Sequence, residues 1–138
     1  MKPSLLLCVI FLLMSGCEKR LTDDMIINLE ERQEKINKRI DDLNVNILVN
    51  INSVYLYIFE TMYSTEPDMI FYYGELKKIE GELKNLQKEL SYIDKSYTLS
   101  ESKIKEREKK LNEIEEELTN NMNYFLEIVV KINESSEK

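Results

Sequence analysis

The chain has 138 residues and a formal net charge of −7, with two cysteines and no histidine. Without histidine it has no histidine base and no Cys/His zinc site, and its acidity is the opposite of the basic surface that holds nucleic acid. We therefore predict no cofactor, no metal and no nucleic-acid partner. Only three glycines and two prolines occur, so loops are few and long helices are favoured.

The N-terminus has the three parts of a secretory signal peptide. Lys2 gives a positive start, residues 5–14 form an apolar stretch, and two small residues precede Cys17. The apolar stretch is about half of the roughly 20 residues that a membrane-spanning helix needs. The pattern therefore favours a leader over a transmembrane helix.

The run from Leu13 to Cys17 resembles the lipobox of bacterial lipoproteins. In that family a diacylglyceryl group joins the cysteine thiol, the leader is cut before the cysteine, and the new amino group is often acylated. The family usually has leucine three residues before the cysteine, where this chain has Met14, with Leu13 one step earlier. An ordinary signal peptide followed by a chance cysteine is the alternative.

The resemblance implies that residues 1–16 are removed, that Cys17 is the lipid-attachment site, and that residues 17–21 form a short tether. Two or more acyl chains hold a protein stably in a bilayer, whereas one chain binds marginally. In that family an aspartate after the cysteine retains the protein in the inner membrane, and this chain has Glu18 there. The implied location is the bacterial cell envelope, at the outer membrane facing the periplasm, with the cell surface as the alternative.

After cleavage the chain would have no free thiol, because Cys8 leaves with the leader and Cys17 is blocked. Its many carboxylates are mixed with lysines in repeating patterns, and no pair is set apart for acid–base chemistry. We therefore expect that the protein is not an enzyme. A site built from carboxylates alone is the alternative.

Three consecutive heptads fill residues 74–94, and their apolar residues recur at alternating steps of three and four. This spacing is typical of the seam of a coiled coil. The same phase continues to Ile132, with Ser100, Arg107 and Asn121 as polar exceptions. The predicted apolar seam consists of Leu76, Ile79, Leu83, Leu86, Leu90, Ile93, Tyr97, Ile104, Leu111, Ile114, Leu118, Phe125, Ile128 and Ile132.

An earlier helix shows the same spacing, interrupted by Gln33 and Asn50. Residues 45–52 also alternate in the manner of a strand, but their helical flanks and the lack of a partner strand favour helix. The predicted seam of this helix consists of Ile26, Leu29, Ile36, Ile40, Leu43, Ile47, Val54 and Tyr57.

Pro67 predicts the firmest break, because proline disfavours helix at the preceding residue and suits the first turn of the next helix. A softer break is predicted at residues 96–101, where the heptad phase nevertheless continues, so one continuous helix is the alternative. The predicted helices span about 22–63, 68–95 and 99–133 within a bundle at 22–133, followed by a polar tail at 134–138.

Helix lengths favour an all-α fold, an antiparallel three-helix bundle with coiled-coil heptads, over a long helical hairpin. A helix running unbroken over residues 68–133 would be about 99 Å long and would overshoot the start of a first helix of about 63 Å. Three helices instead bring the apolar-rich segments together at the end far from the membrane. A parallel homo-oligomer through the 76–132 seam is the alternative.

Seven aromatic residues fall between positions 55 and 73, on both sides of Pro67. Tyrosine is common at interfaces because it combines apolar area with a polar end. One interpretation is a distal patch for a protein partner, with Tyr57, Tyr63 and Tyr73 as the rings that we expect to be exposed. The alternative is that most of these rings form the packed apex of the bundle.

Together these features predict a lipid-anchored helical spacer or interaction module, an accessory part of an envelope assembly. Two alternatives belong to other classes: an exclusion or immunity lipoprotein of a plasmid or phage, and a surface lipoprotein that binds host molecules. The terminal Lys138 also leaves open covalent attachment to the cell wall, because the layout resembles the major outer-membrane lipoprotein of enteric bacteria.

Overall fold

The computed structural model describes the backbone of residues 3–61, 67–93 and 100–137, and the side chains from residue 23 onward within those ranges. The described ranges contain three helices and no strand. The helices are α1 (Pro3–Glu60), α2 (Pro67–Ser91) and α3 (Glu101–Ser136). The all-α prediction is confirmed, and the segment that alternates like a strand lies inside α1.

The observed bounds depart from the predicted ones mainly at the start of α1 and at the second break. α1 begins at Pro3, so helix also runs through the segments interpreted as leader and tether. α2 ends at Ser91, where the N–H of Ile93 donates to the carbonyl of Leu90 at 3.4 Å in a tightened last turn. Ser100, in an extended conformation, precedes α3. α2 and α3 are therefore two helices, and the alternative of one continuous helix is wrong.

α2 runs antiparallel to α1, as two contacts at opposite ends of the pair show. Near the end of α2, the carbonyl of Leu90 accepts a hydrogen bond of 2.9 Å from the side chain of Gln33. Near the start of α2, the ring of Tyr73 lies 6.4 Å from the ring of Tyr55, which is much later in α1. The sequence number therefore falls along one helix as it rises along the other.

α3 returns alongside both other helices and is joined to each by polar side chains. The hydroxyl of Tyr124, late in α3, donates to the carboxylate of Glu75, early in α2, which raises the pKa of the tyrosine. Arg32 of α1 donates to Asn112 Oδ1 at 2.5 Å and pairs with Glu115, both in α3. The helices thus run up, down and up, and the predicted antiparallel three-helix bundle is confirmed.

The core is one continuous cluster built from the predicted seams. In α2 and α3 the predicted positions are buried wherever they are described, except for Ser100, which is exposed, and Ile132, which is half-buried. Tyr97 lies outside the described residues. Where Asn50 interrupts the predicted seam of α1, the neighbouring Ile51 is buried instead, and Asn50 is half-buried. The seam residues therefore pack against one another within one chain. Each buried Leu or Ile contributes about 1.5–3 kcal/mol to the stability of the fold.

A polar layer crosses this core where the apolar pattern is interrupted. Gln33 and Arg107 are only 5% and 3% exposed, and Arg107 Nη2 donates to Gln33 Oε1 at 2.9 Å. Gln33 Nε2 donates in turn to the carbonyl of Leu90, so one residue from each helix meets here. Within the described part of the chain, Nε and Nη1 of Arg107 are buried and unpaired. A shifted register would leave more of these groups unpaired, so the layer favours this alignment of the helices.

The polar layer predicts opposite outcomes for single and double substitutions. Gln33→Leu should lower the free energy of unfolding by about 1–3 kcal/mol, because it leaves a buried guanidinium without its acceptor. Gln33→Leu combined with Arg107→Leu should recover that loss, because a buried polar pair can be replaced by apolar side chains at little cost. Urea denaturation of the parent chain, Gln33→Leu, Arg107→Leu and the double variant measures the coupling between the two residues. Additive losses of stability would contradict the contact between Gln33 and Arg107.

Glu80 is buried on α2 although it lies beside the seam rather than in it. Lys77 and Lys84 bind its carboxylate at 2.5 and 2.9 Å. The hydrogen bond from Lys77, followed by that from Lys84, holds the pKa of Glu80 below its ordinary value of 4.5. This lowering stabilises the folded chain above that ordinary pKa, and the contribution is lost as the pH falls through the lower, folded pKa.

Glu80→Gln should therefore have an effect that depends on pH. Near neutral pH it should lower the free energy of unfolding by about 0.5–1 kcal/mol, because two ion pairs spaced by three and four residues are lost. The deficit should shrink as the pH falls below 4.5, since the parent chain then loses the same pairs. Urea denaturation between neutral pH and pH values below 4.5 measures this deficit. Glu113, which is exposed and 3.8 Å from Lys109, provides the control Glu113→Gln; a deficit independent of pH would contradict this role of Glu80.

Candidate functional site

The predicted lipid-attachment residue, Cys17, lies within α1, and its side chain is outside those that the structure describes. Among the described side chains of α1 the first core residue is Ile26, which lies about 14 Å further along the helix axis at 1.5 Å per residue. Helix therefore leads from Cys17 into the bundle without an intervening loop. In the ranges that the structure describes, no helix has an apolar stretch long enough to cross a bilayer.

The three tyrosines expected to be exposed at the distal end have different surroundings. Tyr73 is half-buried and packs against the core. Tyr57 is also half-buried, and its carbonyl accepts hydrogen bonds from the backbone N–H and the hydroxyl of Thr61. Tyr63 lies outside the described residues. Tyr57 and Tyr73 are thus less exposed than expected, and their part in a partner-binding patch stays a prediction. The reason for the lower exposure is helical phase, since Tyr57 continues the spacing of the α1 seam.

Other rings of the same cluster are the exposed ones. Tyr55, Phe59 and Phe71 are 55%, 61% and 59% exposed. Tyr55 is tilted by 41° against the half-buried ring of Tyr73, so the exposed surface of α1 is continuous with the start of α2. Part of the aromatic cluster thus packs the apex, as the alternative proposed, and part of it faces outward.

The exposed rings of α1 belong to a longer apolar surface on the side of the helix opposite the core. We call this surface the outer face of α1. Its apolar members are between 40% and 61% exposed, and no charged residue occurs between Asp42 and Glu60. The outer face of α1 consists of Val45, Leu48, Val49, Asn52, Tyr55, Leu56 and Phe59.

Charge changes abruptly along this side of α1. Val45, Asn52 and Phe59 are seven residues apart and so share one position on the helix, whereas one and two heptads earlier the same position holds Lys38 and Glu31. The uncharged segment was predicted to form the bundle apex, and its second, exposed face was not predicted. The sequence did indicate this face, because all seventeen residues from 43 to 59 are uncharged. One buried stripe requires uncharged residues on only one side of the helix.

The grooves between the helices offer a less specific site. The groove beside the polar layer is lined by residues that include Glu30, Glu34, Asn37 and Arg107. Two carboxylates against one guanidinium do not favour an anion, although two nitrogens of Arg107 are unpaired among the described residues. The described side chains also contain no group of three or more His, Cys, Asp or Glu residues able to hold a metal ion. The outer face of α1 is therefore the more distinctive surface.

Comparison with known proteins identifies no relative of this chain. No protein-family model matches it, and no match is found among curated proteins or solved structures. The functional argument therefore starts from the residues and their geometry.

The two kinds of ring at the distal end should respond differently to truncation. Tyr73→Ala should lower the free energy of unfolding by about 2 kcal/mol, because a ring packed against the core is removed. Phe71→Ala should cost less than about 1 kcal/mol, because this ring is 59% exposed and forms a T-shaped contact with Tyr72 outside the core. Urea denaturation of both variants measures the difference, and equal losses would contradict this division of the cluster.

Proposed function

We propose that this chain is a lipid-anchored protein of the bacterial cell envelope that acts by contact rather than by catalysis. The observation that carries the proposal is the position of Cys17, directly after a short apolar stretch and two small residues that follow Lys2. Acyl chains on this cysteine would hold the protein at a bilayer, and two or more of them hold stably. In this proposal the anchor fixes one end of the chain and the bundle is its working part.

The fold supports a role as a spacer or interaction module. α1 continues from Cys17 to Glu60 as one helix, a rise of about 65 Å. Because α2 and α3 pack along it, the far end would be held at a defined distance from the anchor. The exposed apolar residues Val45 to Phe59 lie toward that far end, where a protein partner of the envelope could bind them.

The proposal includes one favoured location and two alternative roles. We favour the outer membrane facing the periplasm because of Glu18. Exclusion or immunity against a plasmid or phage, and binding of host molecules at the cell surface, use the same anchored architecture. Protease treatment of whole cells separates the surface from the periplasm, because only a surface-displayed bundle would be cleaved.

The anchor is tested by changing its sulfur. Cys17→Ser in the full chain, expressed in a bacterial host, should move the protein from the membrane fraction to the soluble fraction of the envelope, because no thiol remains to take lipid. Mass spectrometry of the unsubstituted protein should show loss of residues 1–16 and added acyl mass. Cys8→Ser, which changes the other cysteine, is the control and should stay in the membrane. Membrane retention of Cys17→Ser together with an unaltered precursor mass would contradict the anchor.

A further inference from the structure

The outer face of α1 is unusual because the same helical segment is already apolar on its inner side. Ile47, Ile51 and Val54 are at most 6% exposed in the core, while Val49 and Leu56 are 58% and 56% exposed on the opposite side. A helix that is apolar all round is normally buried on every side. The bundle covers only one side of this segment, so the other side is available to a further partner.

Asn52 lies at the centre of the outer face and distinguishes between kinds of partner. The side chains of Asn46 and Asn50 donate to backbone carbonyls one turn earlier in α1, whereas the side chain of Asn52 forms no hydrogen bond with any other described residue. A buried amide needs both a donor and an acceptor, and a second Asn52 across a two-fold axis supplies both. Paired asparagines at such positions also fix the register of coiled-coil dimers.

Charge restricts where a second copy could bind as that partner. Each chain has a net charge of −7, so two copies repel except where they meet through an uncharged surface. A parallel arrangement would bring Lys38, Asp41 and Asp42 against their own copies. An antiparallel arrangement centred on Asn52 separates these residues from their own copies, although Asp42 would then lie within about 3 Å, along the helix axis, of Glu60 of the other copy.

Side-chain size agrees with the antiparallel arrangement. Around a two-fold axis at Asn52, Val45 lies opposite Phe59 and Val49 lies opposite Tyr55. Each small side chain therefore meets a large ring, as interdigitated packing requires. A parallel arrangement would place Phe59 against Phe59 and Val45 against Val45, with crowding at one end and a gap at the other.

We infer that a second copy of this chain packs on the outer face of α1, with the two α1 helices antiparallel about a two-fold axis at Asn52. The contact is isologous, so that the same surface serves both copies and the assembly closes as a dimer. The inference concerns only the helical part of the chain and does not depend on lipid at Cys17.

Engineered cysteines test the direction of pairing in the full chain purified in detergent. Val45→Cys and Phe59→Cys chains, carrying different tags, should form a mixed disulfide when combined and oxidised. Val45→Cys alone should not form one through this position, because its two copies would be about 21 Å apart along the axis and a disulfide needs Cα atoms within about 7 Å. The unsubstituted chain shows the background from Cys8 and Cys17.

The result of this cross-linking is decisive in either direction. A mixed disulfide above background, with none from Val45→Cys alone, supports the antiparallel dimer. A disulfide between two Val45→Cys chains would show parallel pairing and overturn the inference. No disulfide above background in any combination would overturn it as well, because the two faces would then not meet.

A charge placed on the outer face gives an independent measurement. Leu56→Glu should raise the dissociation constant of the dimer by at least about tenfold in sedimentation, because two unpaired carboxylates would be buried at the contact. Lys38→Gln, which lowers the net charge by the same amount as Leu56→Glu at an exposed position of the same side of α1, is the matched control and should leave that constant unchanged. Circular dichroism should show unchanged helix content in both variants. A monomeric parent chain, or an equal effect of both substitutions, would overturn the inference.

Discussion

The bundle depends on a single constraint, which is that each helix carries an apolar stripe that must be buried along its whole length. The stripes repeat at steps of three and four, so neighbouring helices pack side by side at small crossing angles. α2 has 25 residues and α3 has 36. Neither helix alone could cover both flanks of the apolar stripe on α1. The two breaks in the chain let both return alongside α1, and the continuous core from Ile26 to Ile128 follows.

An apolar stripe alone does not fix how far one helix is shifted along another, because a step of one heptad would still place apolar residues in contact. The layer formed by Gln33, Arg107 and the carbonyl of Leu90 supplies the missing information. A shifted arrangement would bury these polar groups against leucine and isoleucine, which is costly. Arg32 and Glu115, at the edge of the same region, add a second pairing that only one alignment satisfies.

The sequence was sufficient for the parts of this fold that periodicity governs. The phase of the seam correctly placed even Arg107 and Asn121 at core positions, because helical geometry fixes which residues face inward whatever their polarity. Pro67 was correctly predicted at the first break for an equally local reason. The end of α2 was harder to predict, because the heptad pattern continues past Ser91, where the helix ends.

The surface was harder to predict than the core. Composition showed that aromatic residues are concentrated near the distal end, but it could not show which rings the neighbouring helices cover. Tyr57 and Tyr73 are partly covered, while Tyr55 and Phe59 face outward, and this difference follows from the positions of α2 and α3. The outer face of α1 was missed for a related reason: an uncharged segment was assigned one buried side, and only the structure shows that the bundle leaves the opposite side open.

The two proposals, an anchor at Cys17 and a dimer through the outer face of α1, have a joint geometric consequence. From Cys17 to Asn52 the helix rises about 52 Å, so in the antiparallel dimer the two cysteines would lie about 105 Å apart at opposite ends. Two chains anchored in the same leaflet could not adopt this arrangement, so with the outer-membrane location that we favour, the dimer would require other copies anchored in the bilayer that faces it. The absence of charge between Asp42 and Glu60 then has a simple role: it confines the contact to the distal parts of two acidic rods, which repel each other elsewhere and so overlap only at their ends.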